Sequence, residues 1–149
     1  MTAEHYRSKT LAAWLALLLG TLGVHRMYLC GFGDKWAWLH PLPTVLGLVG
    51  VARLRDIGQD DRLAWLLIPL LGLTISAAML AAIVFALTPD EKWDARHNRG
   101  HAVVATGWGA VMAAIVALLV GGAVLMGTLA FGGQKFFEWQ LESSPAALR

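Results

Sequence analysis

The chain predicts an all-α integral membrane protein: four transmembrane helices with short interfacial helices. Two observations carry this. Leu63 to Leu87 and Ala102 to Phe131 run roughly 25 and roughly 30 residues with no Asp, Glu, Lys, Arg or His, and about 18 apolar residues already mark a span. Hydrophobic residues make up 57% of the chain and charged residues only 15%, against about 25% charged in soluble domains. At 149 residues there is room for four spans, short loops and little else.

The first apolar segment is Thr10 to Val24. Its length is about 22 Å as a helix, short of a roughly 30 Å hydrocarbon core, so the helix is expected to continue through Tyr28 or Leu29. His25 and Arg26 then reach the interface. Arg7 and Lys9 before an apolar run imitate a signal peptide, but no Ala-x-Ala-like cleavage site follows, so the run reads as retained. Gly31-Phe32-Gly33-Asp34 is a turn. Pro41 and Pro43 interrupt the next segment, which predicts an interfacial piece over Asp34 to His40 and a helix from about Pro43 to Leu54. The third helix follows a charged loop, with Trp65 at its entry and Pro69 as a kink.

Thr88-Pro89-Asp90-Glu91 is a helix-start pattern. Thr88 would cap the free amides, Pro89 would take the first helical position, and Glu91 would complete a capping box. A short amphipathic helix over 89–98 is expected, anchored by Trp93. In the fourth helix Ala105, Gly109, Ala113, Ala117 and Gly121 recur every four residues and form one smooth packing stripe. Shorter echoes occur at Ala12, Ala16 and Gly20 and at Ala78, Ala82 and Ala86. The chain therefore divides into a helical hairpin (1–58), a second transmembrane pair with its interfacial loop helix (59–134), and an interfacial, frayed tail (135–149).

The hairpin carries a motif. Lys9, an apolar helix, Gly20 and Gly23, then His25-Arg26-Met27-Tyr28-Leu29 keep the order and spacing of a known pattern. The segment resembles the TM-two domain family, named for two transmembrane helices, over residues 9 to about 57. Met27 and Cys30 depart from the phenylalanine and glycine that the family prefers. The whole layout is similar to uncharacterised proteobacterial inner-membrane proteins, which implies a multi-pass protein of the bacterial plasma membrane. The resemblance implies no mechanism. Physically, Gly20 and Gly23 admit a close partner, Tyr28 suits an interface, and Arg26 can pair with Asp34 across the turn, with Asp56 a further carboxylate near the second helix end.

Other chemistry is thin. His97 and His101 have a metal-compatible spacing, but Asn98 and Gly100 interrupt a helix there, so a solvated loop is expected rather than a metal site. His40, inside a possible span, is expected at an interface, bonded to backbone freed by Pro41. Asp60 and Asp61 read as a solvated loop beside Arg55 and Arg62. Cys30 cannot form an internal disulfide. No nucleophile elbow or phosphate-binding glycine loop occurs, and no catalytic residue, metal or cofactor is expected. The net charge of +2 is too small and dispersed for nucleic acid. Counting Lys and Arg across four spans leans toward both termini in the cytoplasm. The expected function is a non-enzymatic accessory or scaffold acting on membrane lipids, on another copy of itself or on a membrane-protein partner. A small oligomeric transporter or channel component is the alternative.

Overall fold

The computed structural model describes residues 6–143, and all regular structure among them is helical. The elements are α1 (Lys9–Leu19), a 3-10 turn (Gly20–Leu22), α2 (Val24–Cys30), α3 (Lys35–Leu39), α4 (Pro41–Asp56), α5 (Arg62–Leu87), α6 (Asp90–His97) and α7 (Trp108–Ser143). Three stretches are long and apolar enough to cross a membrane: Lys35–Asp56, Arg62–Leu87 and Trp108–Ser143. Lys9–Leu22 is shorter.

The first segment differs from expectation. α1 runs between α5 and α7: Ala13 packs with Ala86 and Ala113, then Ala16 with Ala82 and Ala117. A Cβ added to Gly20 would lie 2.6 Å from the Ala78 Cβ. Ala78 is about ten residues back from the end of α5, or about 15 Å along it, half of a hydrocarbon core. There the chain reverses. Gly23 adopts φ 76°, a left-handed conformation closed to a continuing helix of L-residues, and a Cβ on it would strike the Ala37 carbonyl oxygen. α2 returns toward the start of α1: Leu29 packs with Ala12 and Trp93, and the Tyr28 hydroxyl accepts from the Ser8 amide at 2.8 Å. The helix expected to continue through Tyr28 or Leu29 is therefore two antiparallel arms.

The remaining order follows from contacts. α3 and α4 run away from the α2 end, with the Thr44 hydroxyl donating to the Thr21 carbonyl at 2.9 Å. Gly47 and Gly50 lie against Leu71 and Leu67 of α5, so close that Cβ atoms there would collide. α5 climbs back, and α7 descends beside it with Gly121 against Met79 and Thr128 against Gly72. Arg62 and Glu142 meet at 3.4 Å at the far end. Lys9 and α6 thus occupy one end of the bundle, and the α4–α5 turn and Ser143 the other.

Two expected boundaries move. Residues 102–107 form no helix; the Val104 and Thr106 amides donate to Asp94 and Asp90 instead, and Ala105 lies outside the helical stripe. α7 continues through Gly132 and Gly133, into the expected tail, of which 144–149 lie outside the described residues. In an apolar medium a helix that stops leaves amides and carbonyls without partners, which favours continuation. α5 runs as one helix from Arg62 to Leu87 with Pro69 inside it, as expected.

The interior is built from small side chains. Ala12, Ala13, Ala16, Ala37, Ala64, Ala82, Ala113 and Ala117 have no exposure, whereas Leu66, Leu80, Leu118 and Leu119 face outward at more than 60%. Backbones approach closely and gain dispersion contact along their length. Replacing Gly47 by Val places a branched side chain against the Leu71 backbone and is expected to lower stability by about 1–3 kcal/mol. Gly122→Val, at a site with nothing within 4 Å, should leave it near wild type. Thermal melting of both variants in one detergent checks this.

Candidate functional site

Two ion pairs of the same design close successive turns. Arg26 Nε donates to Asp34 Oδ2 at 2.9 Å, and Asp34 also accepts from the Trp36 amide at the start of α3. Arg53 Nε and Nη2 donate to the two Asp61 oxygens at 2.7 and 3.2 Å, and Asp61 accepts from the Leu63 amide at the start of α5. In each, an arginine of one helix binds the aspartate that caps the next. The guanidinium bond is the main cause holding Asp34, and likewise Asp61, below the usual carboxylate range. Asp56 takes no part: it is exposed and in no ion pair among the described residues. Asp61, read from sequence as part of a solvated loop, is the carboxylate that pairs with Arg53.

At the opposite end, α6 is tied to the segment that leads into α1 and to the segment before α7. Lys9, with its side chain 8% exposed, forms an ion pair with Asp90 and donates to the Thr88 carbonyl at 2.9 Å. Asp90 also accepts from the Thr106 amide at 2.9 Å and its hydroxyl at 2.5 Å. Asp94 is buried and accepts from Asn98, from the Val104 amide at 3.0 Å and from Tyr6. Asn98 both donates to and accepts from the Arg7 backbone, and the Trp93 indole donates to the Arg7 carbonyl at 2.8 Å. Burial acts to raise the Asp94 carboxyl, but these donors outweigh it and hold it low. The Lys9 and Thr106 donors hold Asp90 down to about 2.

The expected capping box does not form. Thr88 ends α5, its hydroxyl donating back to the Val84 carbonyl. Pro89 sits one residue before α6, and Glu91 is exposed and makes no side-chain hydrogen bond among the described residues. Asp90 is drawn to Lys9 instead, a charge-assisted bond that a neutral cap cannot match. Trp93 is buried against Phe85 rather than anchored outside. His97 stacks on Trp93, and His101 is exposed. Among the described residues no three His, Cys, Asp or Glu side chains come together as a metal site.

Within the helical stripe, Ala113, Ala117 and Gly121 are buried, while Gly109 is exposed and its carbonyl accepts from Trp14. Of the hairpin signature residues, His25 and Arg26 line a cleft, and Gly20 and Gly23 do not. It lies between α2, α3 and α4 on one side and α5 and α6 on the other, with a cavity of about 930 Å³. Its walls are apolar, and His25, Arg26, His40, Lys92, Arg96 and His97 stand along it with no carboxylate among its lining residues. Tyr28 is turned to Ser8 instead. His40 Nδ1 donates to the Trp36 carbonyl at 2.7 Å. His25, only 4% exposed, stacks edge-on against His40, and its Nδ1 has no partner.

The chain has no match among known family models, curated proteins or solved structures. The site therefore rests on its own geometry.

The Asp90 pair has a pH consequence. Its carboxyl is depressed from 3.8 to about 2 on folding, so its stabilisation is fully present above about pH 4 and is lost as pH falls toward about 2. Asp90→Asn should melt lower than wild type at neutral pH and lose less on acidification across that window. Melting temperatures measured against pH in detergent check both.

Proposed function

We propose that the chain is a non-enzymatic membrane accessory or scaffold protein that works through helix and lipid contacts. The observation that carries this is a second, unused small-residue face. Ala123, Gly127 and Ala130 share one side of α7, all exposed, and a Cβ on Gly127 would meet nothing within 4 Å. The interior stripe is consumed by α1 and α5, so this outer face is left for a second copy or another membrane helix. The transporter or channel alternative needs a polar lining, but the Thr74, Ser76 and Thr128 hydroxyls all donate to carbonyls of their own helix. The TM-two resemblance fits the hairpin residues and adds no activity.

The crossing pattern belongs to the same proposal. In place of four spans with both termini on one side, we read three crossings plus a half-depth hairpin formed by α1 and α2. The described ends then lie on opposite faces. Arg7, Lys9, Arg26, Lys35, Lys92, Arg96 and Arg99 gather at the α6 end, against Arg53, Arg55, Arg62 and Lys135 at the other, which favours the α6 end in the cytoplasm of a bacterial plasma membrane.

Reporter fusions before Tyr6 and after Ser143 are expected to report opposite compartments; a shared compartment would restore the four-span pattern. Gly127→Leu should leave melting unchanged but remove the crosslinked dimer or partner adduct formed by wild type in native membranes. Equal crosslinking by the variant would overturn the scaffold reading.

A further inference from the structure

We propose that the cleft between α2–α4 and α5–α6 is a binding site for one anionic phospholipid, its phosphate held by Arg26, Lys92 and Arg96 and an acyl chain lying in the apolar trough. This rests on the membrane reading and deepens it by naming the lipid class. Charge complementarity carries the argument. The cations lining the cleft face no lining carboxylate. Lys92 and Arg96 stand one turn apart on α6, are exposed, and form no ion pair among the described residues. Arg26 spends only its Nε on Asp34, which leaves its terminal nitrogens for a phosphate, a group guanidinium binds in bidentate fashion.

The body of the cleft fits the rest of such a molecule. Leu39, Leu70, Leu73 and Ala77 line it, and Leu39 and Leu73 are each 49% exposed. Its volume of about 930 Å³ is at the upper end of ligand pockets. The basic residues lie at the α6 end of the bundle and the apolar wall extends along the middle of α5, the same polar-to-apolar order as a phospholipid seated in one leaflet. Binding to a free phosphate alone would leave the apolar wall uncovered, so the lipid is the occupant.

The test uses purified full-length protein in detergent, titrated separately with phosphatidylglycerol, phosphatidylcholine and inorganic phosphate, with bound species counted by native mass spectrometry. One phosphatidylglycerol should be retained, phosphatidylcholine much more weakly, and phosphate should neither bind nor displace the lipid. The double variant Lys92→Ala, Arg96→Ala should weaken phosphatidylglycerol at least about tenfold with melting unchanged. Leu73→Trp, which fills the trough and keeps the charges, should weaken both lipids. Equal retention of the two lipids by wild type, or unchanged retention by the double variant, overturns the site; competition by phosphate replaces the lipid with the bare anion. Because the reporter fusions read the crossing pattern separately, a chain that inserts as described yet retains no lipid refutes this proposal alone.

Discussion

Backbone proximity is the constraint on which the bundle depends. Lipid tails are as apolar as leucine, so burying a large side chain between helices gains little over leaving it outside. What can be gained is dispersion contact between closely apposed helices, and this requires side chains that do not hold them apart. The buried positions follow that rule. Alanines fill the α1–α5–α7 core, and glycines stand where α4 meets α5 and where α5 meets α7. Leu66, Leu80, Leu118 and Leu119 are turned outward. The pattern is the reverse of a soluble helical core, and it explains why glycines that would weaken an exposed soluble helix are placed within long helices here.

Ends are held by charge instead. The Arg26–Asp34 and Arg53–Asp61 pairs each combine an ion pair with a helix cap, so one aspartate both satisfies an orphan amide and fixes the angle of a turn. α6 is held the same way but over long range, with Asp90 and Asp94 accepting from residues near the beginning of the chain and from those leading into α7. Packing sets how near the helices come, and these carboxylates set where each begins.

Much of the helical framework was legible in the sequence, since long uncharged runs and four-residue spacing of small side chains report directly on helices and their inner faces. Ala12, Ala16 and Gly20 and Ala78, Ala82 and Ala86 lie inside as their spacing suggests. What was not legible depends on distance. Lys9 and Asp90 are far apart in sequence, so nothing local to Thr88–Glu91 distinguishes a cap from a tether. The reversal at Gly23 is carried by one dihedral angle, and an apolar run reads the same whether it continues or folds back. The cleft is assembled from α2, α3, α4, α5 and α6, and no single stretch of sequence displays its combination of cations and bare apolar wall.

In the crossing pattern proposed above, the turn at Gly23 lies at half depth, and this has a consequence for biogenesis. Its backbone is irregular away from either surface, and such backbone is tolerated only when other protein shields it. The shield comes from later in the chain: Thr44 satisfies the Thr21 carbonyl and Ala78 covers Gly20. On that pattern α1 and α2 emerge from the ribosome before the helices that shield their turn, so the hairpin settles into its native position only after α4 and α5 have inserted.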